Sequence, residues 1–445
     1  MKVSKYATIV ERKNGDLLAY SGLSGVVLSV EKKKKPEFEQ LLRASPDETG
    51  DRLLDFCNKR VLEAFREAKI LVDDDVDEIG MLESRYRDLQ FRNRGGISIT
   101  ITTTMKCNLT CPYCYNPIKD MVMSPELMRD VSLYVDSVLM PTLEGAEKKL
   151  LDITWIGGET LTDFNGLSRM AELLYKVAEK HNCELRSDLI TNGTLLTQEI
   201  LEKIVKPPFL VKAAKITLDG PKTMHDNIRR YHDGRPTFDL ICEKIKLAQQ
   251  YLYTFVRANV GPTFNMNSFR NLIDEMKARD ISDGNLDFMF LRIHRSHNTS
   301  VEQVMPIKEF ADFEFKCARY AKKLDFPMGI SFPRRSDGLH CGTVQRNSVV
   351  IDAQGFISKC WCSMGNPKEA IGHVNQRMDT DGGEYRRWMD HNPFTDTDCA
   401  NCVLLPGCGG GCPWLKRYFG IESCEGCIPA RFNFKERLLF NYFGE

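Results

Sequence analysis

The sequence predicts an α/β protein: a partial (β/α)6 barrel with a small α+β domain before it and a cysteine-rich domain after it. Between residues 97 and 293, β-branched apolar runs alternate with stretches of helical periodicity, the pattern of a parallel sheet with crossover helices. Before this region lie short strand-like runs and then a helical stretch. Beyond Phe326 the chain is rich in Cys, Gly and Pro and loses its periodicity. The expected boundaries are 1–95, 96–325 and 326–445.

In the first segment, strand-like runs at 7–11 and 17–20 flank the turn signal Asn14-Gly15-Asp16, and a third run covers 26–30. Helices are expected at 37–43 and 52–68; in the second, Leu54, Val61, Phe65 and Ala68 share one face. Three strands followed by helices resemble the winged-helix domains that bind leader peptides in peptide-maturation systems. The run Lys32 to Lys35 reads as a solvated wing or loop in preference to a patch for an acidic leader.

The barrel strands are expected at 97–104, 151–156, 187–191, 214–218, 255–261 and 286–292, with helices at 125–140, 164–181, 197–205, 238–251 and 268–278. Six strands suit a partial barrel of the TIM type, in which chemistry gathers at the C-terminal strand ends. A further helix at 304–324 places Phe310, Phe313, Ala318 and Ala321 on its apolar side. The segment after it is expected to rely on metal staples for its shape.

At 445 residues the chain can bury a large core. Lysine plus arginine equals aspartate plus glutamate at 61 each, so no global field favours nucleic acid or an anionic membrane. The sequence shows no run of eighteen apolar residues and no signal-peptide apolar region, so a soluble, cytoplasmic protein is expected. In a reducing compartment its 16 cysteines are metal ligands before they are disulfides. Cys57, Cys183, Cys242 and Cys317 are isolated and read as small buried apolar residues; the others fall into a trio at 107–114 and a crowd at 341–427.

Cys107, Cys111 and Cys114 have the spacing C-x3-C-x2-C, directly after the first barrel strand. Three thiolates hold three corners of a [4Fe–4S] cube, which normally takes four, so one iron is left for another ligand. A zinc site would need a fourth protein donor, and the sequence near the trio supplies no His or Cys. The spacing resembles the radical S-adenosylmethionine (SAM) superfamily, whose loop carries an aromatic residue where Tyr113 stands. The resemblance implies that SAM chelates the fourth iron and is cleaved to a 5′-deoxyadenosyl radical. It also implies SAM contacts from Gly157-Gly158-Glu159 after the second strand (the amine), Asn192 after the third, and Thr217 with Arg229 or Arg230 at and after the end of the fourth (ribose and carboxylate). Two glycines would let a ligand approach the backbone, and Thr160 replaces the proline common in that motif.

The crowd resembles the SPASM subgroup of that superfamily: Cys341, Gly355 and Cys360, then Cys399-x2-Cys402-x5-Cys408-x3-Cys412, then Cys424 or Cys427. Two auxiliary [4Fe–4S] clusters are implied, three clusters in all. Cys399, Cys402, Cys408 and Cys427, with Cys424 the alternate, would hold the outer one. Cys341, Cys360 and Cys412 would hold the inner one, its fourth position filled by Cys362 or open. Gly409 to Gly411 would let the backbone lie close to a cluster.

The subgroup mostly modifies peptides. The implied function is maturation of a ribosomally made precursor peptide, by hydrogen abstraction and then oxidative thioether, carbon–carbon or ether crosslinking. A leader would add a strand to the N-terminal sheet, and a flavodoxin or ferredoxin would donate electrons. No general acid or base can be singled out. The anaerobic sulfatase-maturating enzymes are the alternative, but Trp361 stands where their general-base aspartate would be. An iron–sulfur scaffold or redox relay that binds peptide without turning over SAM is the reading from another class.

Overall fold

The computed structural model describes residues 1–36, 38–39, 59–91, 95–117, 120–282, 284–296, 298–330, 332, 339, 341–376, 380–418 and 424–444. The expected helix at 37–43 lies outside these residues apart from 38–39, and so do residues 52–58 of the expected second helix.

The N-terminal segment runs β1 (Lys2–Val3), β2 (Ala7–Glu11), β3 (Leu17–Ser21), β4 (Val27–Val30), α1 (Lys59–Glu67), β5 (Leu71–Val72) and α2 (Glu78–Phe91). Strands β2, β3 and β4 form an antiparallel sheet, and β1 pairs with β5. The hairpin turns where expected: Gly15 has φ +87° and the Arg12 N–H donates to the Asp16 carbonyl at 2.8 Å. Every residue of β3 is buried. Alternation sends Leu17 and Ala19 against Leu62, Phe65 and Ile70, and Leu18 and Tyr20 against Leu404, Ile428, Phe434 and Leu438. The N-terminal sheet thus shares a core with the C-terminal segment. Helix α2 joins that contact, with Tyr86 edge-on to Phe394 and Gln90 Nε2 donating to the Met389 carbonyl at 2.6 Å.

The barrel runs β6 (Gly96–Ile101), α3 (Pro125–Tyr134), β7 (Leu150–Trp155), α4 (Phe164–Lys180), β8 (Glu184–Thr191), α5 (Gln198–Ile204), β9 (Val211–Thr217), α6 (Lys222–Ile228), α7 (Phe238–Ala248), β10 (Tyr253–Val260), α8 (Met266–Lys277), β11 (Leu286–Arg292) and α9 (Ile307–Lys323). All neighbouring pairs from β6 to β11 are parallel and follow chain order. Ser124, Asp163, Thr197 and Asn265 cap α3, α4, α5 and α8 with side-chain oxygens. The expected helix at 125–140 breaks up: α3 ends at Tyr134, a π turn covers Val135–Leu139 and a 3₁₀ turn covers Met140–Leu143. Pro141 cannot donate into a continuing helix, which accounts for the change.

The sheet does not stop at β6. Strand β12 (Ser348–Ile351) pairs parallel to β6, and β13 (Phe356–Ser358) and β14 (Gly372–His373) extend it, giving nine strands in the order β11-β10-β9-β8-β7-β6-β12-β13-β14. The segment beyond Phe326, expected to rely on metal staples for its shape, thus has strands of its own. Val349, Val350, Ile351 and Ile357 are buried in a sheet, on strands too short for periodicity to reveal. Helices α10 (Gly383–Met389) and α11 (Phe434–Phe443) follow. The fully buried Arg437 of α11 pairs with Glu314 of α9 at 2.6 Å and donates to the Ala311 carbonyl at 3.0 Å, fixing the C-terminus to the barrel.

Candidate active site

The three clustered cysteines occupy the loop that leaves β6 at its C-terminal end. Neighbouring segments hold this loop at several points. Met105 N–H donates to the Met121 carbonyl at 2.9 Å, Thr110 N–H to the Arg230 carbonyl at 3.0 Å, and His232 Nε2 lies 2.8 Å from the Cys107 carbonyl. The thiols of Cys107, Cys111 and Cys114 line one cavity of about 200 Å³. Burial pushes the Cys107 thiol up to about 12 and moves Cys111 and Cys114 in the same direction. Thiols so placed ionise against a cationic metal.

The loop after β7 lies directly on this one. Gly158 N–H donates to the Thr104 carbonyl at 3.1 Å and Glu159 N–H to the Lys106 carbonyl at 2.7 Å. A β-carbon on Gly157 would collide with the Thr104 carbonyl, and one on Gly158 with the Met105 and Lys106 carbonyls. The close approach these glycines permit is therefore that of the cysteine loop's own backbone; both glycines also line the cavity. Glu159 does not line it. Its carboxylate accepts from Leu161 N–H at 3.0 Å, the Thr191 hydroxyl at 2.7 Å and Asn192 N–H at 2.6 Å, which bolts the loops after β7 and β8 together. Burial raises the Glu159 carboxyl above its ordinary value, against the pull of those donors. Thr160 gives its hydroxyl proton to the Ile190 carbonyl at 3.1 Å, a bond proline could not make.

Asn192, Thr217 and Arg229 line the same cavity. Asn192 Nδ2 donates to Asn108 Oδ1 at 2.8 Å, joining the β8 loop to the cysteine loop. Tyr113 is the centre of a polar network. Its hydroxyl donates to Asp219 and accepts from Arg229 Nη1 at 2.8 Å and Asn259 Nδ2 at 3.0 Å. Asp219 lies 3.5 Å from Arg229 and accepts from Asn259 N–H at 2.6 Å. Two further residues, Arg257 and His294, are cavity-lining groups outside the expected set. Arg257 and Asn259 sit two apart on β10, a polar pair at the C-terminal end of an otherwise apolar strand, and that alternation is the signal that could have found them. The Nε atoms of Arg229 and Arg257 are buried with no protein partner among the described residues. Two guanidiniums with unmet donors suit an anionic group such as a carboxylate.

The C-terminal cysteines form two groups. Cys399, Cys402, Cys408 and Cys427 line one recess, to which Cys424 does not contribute. Cys341, Cys360 and Cys412 interact electrostatically as a second group. Cys362 neighbours Cys360 and has its Sγ 3.3 Å from His294 Nε2. Among the described residues no three His, Cys, Asp or Glu side chains converge closely enough to hold a single metal ion. Gly409, Gly410 and Gly411 all have positive φ, which bends the chain between Cys408 and Cys412. A second cavity of about 590 Å³ lies between β11 and these loops, bordered by Cys341, Cys412 and Cys427. The two cavities share Leu291, Arg292 and His294.

Comparison with known proteins agrees with this arrangement. The chain is 33% identical over 155 residues to the serine-type anaerobic sulfatase-maturating enzyme of Bacteroides thetaiotaomicron, covering 33% of this chain and 34% of that one. It is 20% identical over 343 residues to the radical SAM cyclopropyl synthase TigE of Paramaledivibacter caminithermalis, 71% of this chain and 67% of that one. The chain thus spans about a third to two thirds of the length of these relatives. Among solved structures, anSMEcpe with bound AdoMet and the Cp18Cys peptide superposes with a TM-score of 0.56 at 17% identity, over 78% of this chain and 96% of that one. SuiB of Streptococcus suis bound to the precursor peptide SuiA gives 0.51 at 13% identity, over 92% and 95%. These likenesses establish a shared α/β fold with a partial barrel. Residues 101–276 match the family described as the radical SAM superfamily, and the chain carries a radical SAM domain.

Proposed function

We propose that this chain matures a ribosomally made peptide by radical SAM chemistry: the peptide would give one hydrogen atom to the SAM-derived radical and its remaining electron to an auxiliary cluster as the crosslink forms and a proton leaves. The observation that carries the reading is the meeting of two cavities at Leu291, Arg292 and His294, one lined by the cysteine trio and the other bordered by the C-terminal cysteines. Cys107, Cys111 and Cys114 would hold the first [4Fe–4S] cluster. Tyr113, Gly157, Gly158, Asn192, Thr217 and Arg229 would surround SAM, with Arg257 added to that set and Glu159 shaping the pocket from behind. When bound, the cluster and SAM supply the one-electron chemistry that activates an inert C–H bond. The buried guanidiniums of Arg229 and Arg257 supply the positive charge that a carboxylate would meet.

The larger cavity is the place for the peptide. Phe290, Ile307, Phe310, Leu415 and Ile428 line it, so an apolar side chain would displace water there. Arg292, on its border, is already engaged by Glu425. Cys399, Cys402, Cys408 and Cys427 would hold the outer auxiliary cluster, and Cys341, Cys360 and Cys412 the inner one. The relatives and fold neighbours include proteins named for peptide or protein substrates, which supports a peptide substrate. The three-stranded sheet has edges at β2 and β4 where a leader could add as a strand. A flavodoxin or ferredoxin would supply electrons in the cytoplasm. Among the described residues no helix is long and apolar enough to cross a membrane.

Anaerobic reduction with SAM should yield 5′-deoxyadenosine, and Cys107→Ala, Cys111→Ala or Cys114→Ala should abolish it. No product from the reconstituted wild type, even with a cognate peptide, would leave only the redox-relay reading. The stretch of 33% identity keeps sulfatase maturation as a second reading. There the product would carry an aldehyde that reacts with a hydrazide probe, which a crosslink does not.

A further inference from the structure

Two cations reach into the outer cysteine set. Lys416 Nζ lies 3.1 Å from Cys399 Sγ, and Arg431 Nη1 lies 3.1 Å from Cys427 Sγ. Their carboxylate partners stand further toward solvent. Asp396 is 3.2 Å from Lys416 and its side chain is 42% exposed against 17% for the lysine; Asp398 is 3.6 Å from Arg431 and 67% exposed against 25%. Water therefore screens the carboxylates more than the cations. Among the described residues no lysine or arginine donates to a thiol of the 107–114 trio, although the buried Arg229 guanidinium lines the same cavity. None donates to Cys341, Cys360 or Cys412 either; Cys341 Sγ lies 3.2 Å from the neutral hydroxyl of Thr343. The buried Lys359 gives its protons to the Gln345 and Ser348 carbonyls instead.

We propose that Lys416 and Arg431 raise the reduction potential of the outer auxiliary cluster. This rests on the reading that Cys399, Cys402, Cys408 and Cys427 hold a [4Fe–4S] cluster. The physical cause is direct. Reduction adds one electron to a cluster already bearing negative thiolates, and donors and positive charge at the sulfurs stabilise the added charge. The same two side chains also fix ligands from both ends of the set, since Cys399 opens it and Cys427 closes it. Lys416 and Arg431 act through the thiolates and so are positioning and tuning residues.

The test is an EPR-monitored redox titration of the anaerobically reconstituted full chain, with dithionite as the electron source. It compares wild type with Lys416→Met, Arg431→Met, the double variant and Lys416→Arg, and total iron is measured in each. Wild type should hold about twelve iron atoms, as three four-iron clusters require. Each methionine variant should lower the midpoint of one signal, and the double variant by at least the 59 mV that is tenfold in a one-electron couple. The other two midpoints should stay in place, and Lys416→Arg should titrate like wild type. If methionine variants lose iron, Lys416→Gln, which keeps a donor without the charge, should bind iron and show the downward shift. Full iron with unmoved midpoints would overturn the tuning role alone. About four iron atoms in wild type would overturn the cluster assignment beneath it.

Discussion

The hydroxyl of Tyr113, on the cysteine loop, donates to the carboxylate of Asp219, at the end of β9. One bond thereby ties the loop after the first barrel strand to the loop after the fourth. Arg229 completes the triangle, donating to the same hydroxyl at 2.8 Å and standing 3.5 Å from Asp219. Asp219 and Arg229 are both buried, so their charges must balance one another.

Removing the carboxylate charge should therefore cost more than removing the hydroxyl. Asp219→Asn leaves Arg229 buried without its counter-charge, a change worth about 3–5 kcal/mol. Tyr113→Phe leaves the Asp219–Arg229 pair in place and removes hydrogen bonds to charged groups, about 1.5–3 kcal/mol. Urea unfolding of the metal-free protein measures both. A Tyr113→Phe variant less stable than Asp219→Asn would contradict the ranking.

His225 gives this network a pH dependence. It is fully buried, its Nδ1 accepts from Asp219 N–H at 3.0 Å, and its Nε2 lies 3.1 Å from the Thr237 hydroxyl, which itself donates to the Arg229 carbonyl at 2.6 Å. Burial, with Arg229 and Lys222 nearby, holds the imidazole well below its ordinary value of 6.5. A depressed base is neutral in the fold but protonated in the unfolded chain below that value. Its stabilising contribution is thus present above pH 6.5 and lost as pH falls toward the folded value. His225→Asn, which offers Oδ1 to the Asp219 N–H, should be less stable than wild type at pH 7 but lose less between pH 7 and 5. Parallel pH profiles for the two would rule out His225 as the titrating group.

The barrel was readable because its strands are buried runs of regular length; β11 falls at the expected residues, and the others differ at their ends. The cysteine spacing was readable because Cys107, Cys111 and Cys114 lie within one loop. What escaped depends on contacts between distant segments. Leu17 to Tyr20 reads as a strand, but not as one covered on both faces, one of them by residues some four hundred positions away. Strands β12 to β14 are too short for periodicity and exist because β6 offers an edge. The packing of Gly157 and Gly158 on the cysteine loop escaped for the same reason, since no local pattern announces that the Thr104 to Lys106 backbone comes so close.

That packing makes Gly158 the more demanding of the two glycines. A β-carbon there meets two carbonyls of the cysteine loop, and backbone cannot swing aside as a side chain can. Gly158→Ala should cost roughly 1–3 kcal/mol and push the loop bearing Cys107 out of place. On the proposed cluster assignment, iron at the trio should fall while iron at the C-terminal cysteines persists. Gly96→Ala, where a β-carbon meets nothing within 4 Å, is the control and should keep wild-type iron. Full iron content in Gly158→Ala would show that the loop can give way.

The last relationship couples the barrel to the C-terminal cysteines. Arg292, the final residue of β11, donates to Glu425 Oε2 at 2.5 Å and to the Glu425 carbonyl at 2.7 Å. The same carboxylate accepts from Ile307 N–H, at the N-terminus of α9, at 3.2 Å, where a negative charge also meets the helix dipole. Glu425 thus sits between Cys424 and Cys427 and is held from two barrel elements at once. Arg292→Met should release this loop, costing about 1.5–3 kcal/mol for the charged hydrogen bonds lost. Hydrogen–deuterium exchange should rise in residues 424–431, and the outer cysteine set should lose iron more readily to a chelator. The 107–114 trio should keep its iron, because Arg292 makes no bond to that loop among the described residues. Glu425→Gln keeps the shape and should show the same changes at smaller amplitude. Exchange unchanged in 424–431 in both variants would mean that the loop is held by its cysteines alone and that Arg292 only borders the cavity.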